Sequence, residues 1–501
     1  MSASLDNPTV LVVGAGVMGT GIAQVAAQAG HRVMLFDAQS AAAAAAKTRL
    51  ESTFDKLVAR GKFSNAETAA ILSRVEPVES LDAAAATGLV IEAIVENIEI
   101  KRNLFQQLEN IVAADCVLAT NTSSLSVTAI ANGLLHPERL VGMHFFNPVP
   151  LMKLVEVVSG LQTSATAADT IFQLSEAWGK VPVHAGSTPG FIVNRIARPF
   201  YAESLALLQE QAATPAVLDT CLRGAGFRMG PCELMDLIGH DTNFSVTRSV
   251  YEANFYDKRY TPSLIQQELV DGGLLGRKSG RGFYDYTGDT QSQAPDFPAQ
   301  DSPPSTDKLA VHGEGPIAER IGTVLELHDC HFDRISDSSW IGLQVDKSSL
   351  RLTDGRIAVG LGQDVAVFDL PLGEEPGLAL AWSPASGAST QWVEAAPKWL
   401  ALLGFVPQQV GDVPGLVVAR TIAMLINEAA DAVHQGVCDT AGANAAMKLG
   451  VNYPAGPFEW LEAWNAQAVI ELLDRLDAHY RGERYRVSPW LRQRTWRQES
   501  R

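Results

Sequence analysis

Four apolar residues, Val10 to Val13, run into a glycine, and apolar residues then recur at helical spacing from Thr20 to Ala29. Gly30-His31 ends that stretch, and a second apolar run, Arg32 to Phe36, closes on Asp37. Strand, glycine turn, helix and strand within about thirty residues predict a βαβ unit, the opening of a doubly wound sheet. Ala41 to Ala46 and onward reads as helix on propensity. Leu89 to Val95, Val117 to Thr120 and Leu140 to Phe146 are apolar runs of strand length. Strands alternating with helices predict a mostly parallel sheet.

From Thr188 the texture changes. Gly190 to Gln211 has apolar residues at helical spacing, and strand signals become rare through Leu269, so a helical domain is expected. Thr287 to Pro316 reads as a linker, with Pro295, Pro298, Pro303, Pro304 and Pro316 among Ser, Gln, Gly and Asp. Beyond it lies an internal repeat. Gly179 to Arg195 aligns with Gly404 to Arg420 at an offset of 225 residues, with eight of 17 positions identical. The match continues to Glu203 and Glu428 and, with small gaps, to Gly230-Pro231 and Gly456-Pro457. A second helical domain follows from this. Pro316 to Leu403 has strand-like runs, Ile357 to Gly360 and Val365 to Leu370, and no glycine-rich phosphate loop, so it reads as a shortened sheet domain without cofactor binding. The expected organisation is α/β plus α. A Rossmann-type doubly wound sheet spans 1–187, a helical domain 188–286 and a linker 287–315. A reduced Rossmann-like domain spans 316–409 and a second helical domain 410–501.

Composition narrows the function. A chain of 501 residues suggests about three domains. Hydrophobic residues at 47% and charged residues at 19% are ordinary globular material, which excludes disorder over most of the chain. A net charge of −17 argues against bulk nucleic-acid binding and against a membrane-surface role. An anionic ligand stays open, because helix N-termini bind anions on acidic proteins too. The five cysteines are scattered and form no C-x-x-C pair, which fits a reducing compartment. No apolar run reaches the ~18 residues of a spanning helix. Met1 to Thr9 has no signal-peptide character, and Gln498 to Arg501 is no peroxisomal signal. A cytoplasmic protein is expected. His328-Asp-Cys-His331 matches no standard metal spacing, so no metal is expected.

Three groups of residues carry chemistry. In Gly14-x-Gly16-x-x-Gly19, Gly14 permits a tight turn, Gly16 lets backbone approach a pyrophosphate, and Gly19 permits close helix–sheet packing. Val17, Met18 and Gly19 then offer N–H groups at a helix N-terminus. Asp37 stands 18 residues after Gly19 at a strand end, where a carboxylate accepts ribose hydroxyls and repels a 2′-phosphate. Ala38 follows, not Arg, so NAD is predicted over NADP.

The second group is His144, at a strand end in Met143-His-Phe-Phe-Asn-Pro148, and Glu156 in the apolar run Lys153 to Val158. A carboxylate there is costly without a partner, and a histidine would supply one and gain a fixed tautomer. On spacing alone, a structural histidine beside an unrelated glutamate remains the alternative. The third group is Asn121-Thr-Ser-Ser124 and Asn194, small polar residues that either hold a substrate oxygen or simply cap.

Seven stretches taken in order resemble the 3-hydroxyacyl-CoA dehydrogenase family over about residues 8 to 286. They are GAGVMG from Gly14, IEAIVENIEIK from Ile91, NTSSLSV from Asn121 and HFFNP from His144, then TPGFIVNR from Thr188, MGP from Met229 and GRKSGRGFYDY from Gly276. The resemblance implies oxidation of a 3-hydroxyacyl-CoA to the 3-ketoacyl-CoA with NAD. His144 is then the base and Glu156 its orienting partner. Ser123 and Asn194 position the substrate, and Glu96, Lys101, Ser123, Asn147 and Lys278 fall where NAD contacts are expected. Ser52 and Lys62 are candidates for the CoA moiety. The tandem second half resembles long bacterial members, several of which act on 3-hydroxyadipyl-CoA in phenylacetate catabolism, and the family suggests a homodimer.

Arg228 stands where short relatives have Pro, and either meets a distal carboxylate or lies on the surface. Ala419 replaces Asn194 in the second repeat, which predicts a catalytically silent half that caps the first domain. A short-chain 3-hydroxybutyryl-CoA enzyme, a dehydrogenase of CoA-free hydroxy acids or sugar acids, and a non-catalytic NAD-binding protein are the competing readings.

Overall fold

The computed structural model describes residues 9–288, 296, 298, 300, 302–373 and 375–499. The chain forms two compact units. The first is Met1–Arg195 with Gln435–Val451, and the second is Ile196–His434 with Asn452–Arg501.

The first unit is built on eight strands: β1 (Thr9–Val13), β2 (Arg32–Phe36), β3 (Val75–Val78), β4 (Leu89–Glu92), β5 (Val117–Thr120), β6 (Leu140–Phe145), β7 (Leu154–Ser159) and β8 (Val181–Gly186). Their order is β3-β2-β1-β4-β5-β6-β7-β8. All neighbours are parallel except β6 and β7. Strands β1, β4 and β5 read as continuous apolar runs because helices cover both sheet faces, and Val12, Ile91 and Ala119 are fully buried. The first helix, Val17–Gln28, begins three residues earlier than periodicity indicates, since Gly16 in extended backbone already caps it. Strand β4 stops at Glu92 rather than Val95. The Glu92 side chain turns back to accept the Ile94 N–H at 2.7 Å, which breaks the extended run.

The segment Gln435–Val451 joins this unit from far along the chain. Its helix, Thr440–Gly450, packs on β7 and β8, and Gly186 N–H donates to Val437 O at 2.8 Å. Sequence pattern gave no sign of this exchange, because the segment reads as part of its own repeat.

The second unit holds a seven-stranded mixed sheet in the order β10-β9-β11-β12-β13-β14-β15. The strands are β9 (Leu309–His312), β10 (Asp333–Ile335), β11 (Gly342–Val345), β12 (Ser348–Leu352), β13 (Val365–Phe368), β14 (Leu378–Pro384) and β15 (Phe405–Gln409). Three expectations are corrected here. The linker to 315 ends sooner, because β9 is a fully buried strand inside it; most of residues 289–301, with Pro295, lies outside the described residues. Ile357 to Gly360 is a turn, not a strand, since the Asp412 carboxylate accepts the N–H groups of Ala358 and Val359 at 2.6 and 2.9 Å.

A glycine loop is also present, just ahead of the stretch read as lacking one. β9 leads through Gly313-x-Gly315 into helix Pro316–Leu327, with buried Ala318 at the third position. Gly313 (φ +82°) approaches Trp340 and Ile341 closely, and Gly315 is open, as in a dinucleotide loop. Its chemistry has gone the other way. Pro316 lacks the N–H that opens an anion site, and Glu314 and Glu319 put negative charge at the mouth.

The helices of the second unit are tied by reciprocal buried pairs. Glu203 accepts from Arg420 Nε at 2.6 Å, Arg484 Nη2 at 2.8 Å and Tyr485 OH at 3.0 Å. Glu428 accepts from Arg259 Nη1 at 3.2 Å and Tyr260 OH at 2.5 Å. Glu203 with Arg484-Tyr485 maps onto Glu428 with Arg259-Tyr260 at the same 225-residue offset, so each repeat supplies the partners of the other.

Candidate active site

The glycine loop closes β1 against β2 and β4. Gly14 has φ +109°, and a Cβ there would stand 2.4 Å from Ala93 O; a Cβ on Gly19 would stand 1.8 Å from Gly14 O. Both positions therefore demand glycine for packing. A Cβ on Gly16 meets nothing within 4 Å, so this is where a ligand can approach the backbone. No side chain caps the following helix, which leaves its first N–H groups for an anion. Asp37 ties the loop together, its Oδ2 accepting Ala15 N–H at 2.7 Å and its Oδ1 accepting Gln39 N–H at 2.8 Å. The open glycine, the free helix end and the strand-end carboxylate fit a dinucleotide. Arg49, missed in the sequence, donates to Ala15 O at 3.0 Å behind the loop.

The antiparallel pairing of β6 with β7 sets His144 directly opposite Glu156. His144 Nδ1 lies 2.6 Å from Glu156 Oε2, and both side chains are buried. A carboxylate accepts only, so Nδ1 donates to it, and in the neutral imidazole Nε2 then keeps its lone pair. Glu156 Oε1 accepts two further bonds, from Ile192 N–H at 3.0 Å and Val193 N–H at 2.9 Å. Those donors come from the turn after β8, where Gly190 (φ +79°) and Phe191 (φ +47°) are left-handed. Asn194 follows on the same turn. Phe146 and Phe191 flank the imidazole, with ring centroids 4.6 and 5.7 Å away. Sequence reasoning missed the two backbone donors, because a backbone N–H has no letter.

The second repeat keeps the turn without the histidine. Gly415 (φ +71°) and Leu416 (φ +48°) reproduce it, and buried Asp369 accepts the N–H groups of Val417, Val418 and Ala419 at 2.9, 2.6 and 2.8 Å.

Ser123 sits in a turn after β5 built on one carboxylate. Glu96 Oε1 accepts Thr122 Oγ1 at 2.6 Å, Ser123 N–H at 3.0 Å, Ser124 N–H at 3.1 Å and Ser124 Oγ at 3.0 Å. Burial opposes its charge, but Lys101 and these donors hold the Glu96 carboxyl below its usual range. Lys101 is 1% exposed, with its ammonium 2.6 Å from Glu92 and 3.3 Å from Glu96. Of these two carboxylates, Glu96 is the one that accepts from Ser123 and Ser124. Asn121 Oδ1 accepts Phe145 N–H at 2.9 Å and so couples that turn to the histidine strand.

Asn147 is exposed just past β6. Ser52, on helix Ala42–Ala59, and Lys62, just beyond it, are exposed on the first unit. Lys278, paired with Asp241 at 2.5 Å, and exposed Arg228 belong to the second unit. All five cysteines are free. Among the described residues, no His, Cys, Asp and Glu cluster could hold a metal, and no helix is long and apolar enough to cross a membrane.

Known proteins resemble this chain. The 3-hydroxyacyl-CoA dehydrogenase NAD binding domain matches residues 9–188, and the C-terminal domain matches 190–286 and again 415–499. The 3-hydroxybutyryl-CoA dehydrogenase reduced Rossmann-fold domain matches 350–414. The chain is 42% identical to the 3-hydroxyadipyl-CoA dehydrogenase of Escherichia coli, over 98% of both. It is 42% identical to the 3-hydroxybutyryl-CoA dehydrogenase of Clostridioides difficile, over 55% of this chain and 98% of that one. A crystal structure of 3-hydroxybutyryl-CoA dehydrogenase from Escherichia coli superposes with a TM-score of 0.89 at 41% identity, covering 98% of this chain and 99% of that one. The chain belongs to the 3-hydroxyacyl-CoA dehydrogenase family, as an oxidoreductase that uses NAD to oxidise a 3-hydroxyacyl-CoA.

Proposed function

We propose that His144 is the general base for the C3 hydroxyl and that the substrate is (3S)-3-hydroxyadipyl-CoA, oxidised to 3-oxoadipyl-CoA. One observation carries the base: Glu156 engages Nδ1, so the neutral imidazole presents Nε2 as an acceptor. The hydroxyl proton goes to Nε2, and Glu156 balances the imidazolium while keeping its own place on two N–H groups. Ser123 and Asn194 hold the C3 oxygen. Bound NAD supplies the acceptor for the C3 hydride. Gly14, Gly16, Val17, Met18 and Gly19 hold its pyrophosphate, and Asp37 takes its adenosine ribose. Glu96, Lys101, Ser123, Asn147 and Lys278 add contacts to NAD, and Glu96 and Lys101 also support the Ser123 turn. Ser52 and Lys62 meet the CoA moiety.

The adipyl assignment rests on the full-length Escherichia coli relative of that name, and on exposed Arg228 as a partner for a distal carboxylate. The phenylacetate setting follows from the sequence resemblance. A butyryl substrate is the second reading, favoured by the name of the superposed structure. The second repeat is catalytically silent, its glycine loop carrying Pro316 and Glu314 and its turn carrying Ala419. A cytoplasmic enzyme with free thiols, forming a homodimer and binding neither nucleic acid nor membrane, completes the proposal.

The test is NADH production from 3-hydroxyadipyl-CoA and 3-hydroxybutyryl-CoA, with His144→Ala and Arg228→Ala. Loss in His144→Ala and an adipyl preference that falls in Arg228→Ala support the reading. Wild-type turnover in His144→Ala sinks the base, and a butyryl preference sinks the adipyl substrate.

A further inference from the structure

The turn that serves Glu156 is held from the far end of the chain. Phe191, left-handed and not glycine, is a strained residue that persists only where its surroundings fix it. Within the first unit two bonds from the second repeat close on this turn. Gly186 N–H donates to Val437 O at 2.8 Å at its start, and Arg195 Nη1 donates to Gln435 Oε1 at 2.9 Å at its end. Between them, helix Thr440–Gly450 ends against the same residues. A Cβ on Gly450 would stand 2.7 Å from Leu154 Cδ2 and 3.0 Å from Val193 Cγ2. Val193 gives its N–H to Glu156, and Leu154 lies two residues before Glu156 on β7.

The second unit repeats the clasp at the offset of 225. Gly411 N–H donates to Ala212 O at 2.7 Å, and Arg420 Nη2 donates to Glu210 Oε1 at 3.3 Å. One difference separates the two. The silent repeat uses a carboxylate, Glu210, where the catalytic repeat uses the neutral amide of Gln435. On the incoming segment Cys438 lies near Asp439, Glu156 and Arg195. Burial, with Asp439 and Glu156 nearby, pushes the Cys438 thiol up to about 12, so it stays neutral.

We infer that Gln435 and Val437 are positioning residues for the His144–Glu156 pair. They fix residues 186–195 so that Ile192 and Val193 stay on Glu156 and Asn194 stays in place. This rests on His144 and Glu156 being the catalytic pair.

The experiment compares Gln435→Leu, Gln435→Glu and Glu210→Gln in the full chain, with His144→Ala alongside. It reads kcat, both KM values, the pH profile of kcat/KM, and Tm. Gln435→Leu is expected to lower kcat by about tenfold or more, with KM for NAD within about twofold, because a small misplacement of catalytic groups is costly. Gln435→Glu keeps the clasp and most of kcat. Its carboxylate accepts from Arg195 as the amide does, so this variant rescues what Gln435→Leu loses. Glu210→Gln, in the silent clasp, leaves kcat and the profile unchanged.

Wild-type kcat and profile in Gln435→Leu overturn the inference, and so does an equal loss of kcat in Glu210→Gln. If Gln435→Leu does not fold, a tenfold loss of kcat in a folded Gln435→Glu, which keeps the clasp, overturns it instead. Wild-type activity in His144→Ala is the separate failure of the catalytic pair itself.

Discussion

Replacing Glu156 with Gln changes one atom and tests the dyad most sharply. The amide can sit two ways. With its NH₂ toward Ile192 and Val193, two buried N–H donors lose their acceptor, at about 1–3 kcal/mol each. With its oxygen there, only the contact with His144 changes, so this orientation wins. The NH₂ then points at Nδ1 and needs a lone pair on it. The imidazole proton moves to Nε2, and the base is lost. A wrong-tautomer histidine without its balancing carboxylate costs about 10³- to 10⁴-fold in kcat. At about 1.36 kcal/mol per tenfold, that is about 4–5.5 kcal/mol of barrier. KM for NAD is expected to hold, and stability to fall by only about 1–2 kcal/mol, since one charge-assisted bond weakens. Steady-state NADH formation across pH, with thermal melts, measures both. A kcat within tenfold of wild type in a folded Glu156→Gln enzyme would refute the tautomer argument.

Gly16→Ala is expected to fold with an unchanged or slightly raised Tm, because its Cβ meets nothing, while KM for NAD rises about tenfold or more. Gly19→Ala, aimed at Gly14 O, is expected instead to lower Tm and soluble yield. Asp37→Asn removes the charge that repels a 2′-phosphate, so the NAD-to-NADP ratio of kcat/KM is expected to fall about tenfold or more; an unchanged ratio would place selectivity elsewhere. Lys180 Nζ is buried against Val149 O and Met152 O, at 2.5 and 2.8 Å, and burial pushes its pKa down to about 8. The folded chain sheds this proton before the unfolded chain does, so stability rises with pH from about 8 toward 10. Urea midpoints at the two ends, compared with Lys180→Met, check the sign.

The glycine loop, Asp37, His144 and Glu156 were all legible in the sequence, because each depends on side-chain identity at a spacing. The geometry joining the last two was not. It comes from one antiparallel pair in an otherwise parallel sheet, which alternation does not reveal. The burial of Lys101 against Glu92 was not legible, because it reflects tertiary packing that no local pattern carries. β9 was hidden because four apolar residues followed a proline-rich stretch whose composition dominated the reading. The crossing of Gln435–Val451 into the first unit was invisible for a deeper reason. A repeat detected by alignment reads as self-contained, and exchange between repeats leaves no mark on either copy.

The reciprocal pairing of Glu203 bears on synthesis. Its ligands Arg420 and Arg484 lie 217 and 281 residues downstream, so the ribosome releases the glutamate long before either counter-ion exists. A carboxylate buried without a partner costs several kcal/mol, so the nascent helix keeps Glu203 hydrated until the second repeat supplies its cations. Burial of this helix therefore waits for the second repeat, whereas the N-terminal strands can pair earlier in synthesis. A chain cut short before Arg484 leaves Glu203 without that cation and apolar helices uncovered, the kind of surface that proteases and chaperones triage.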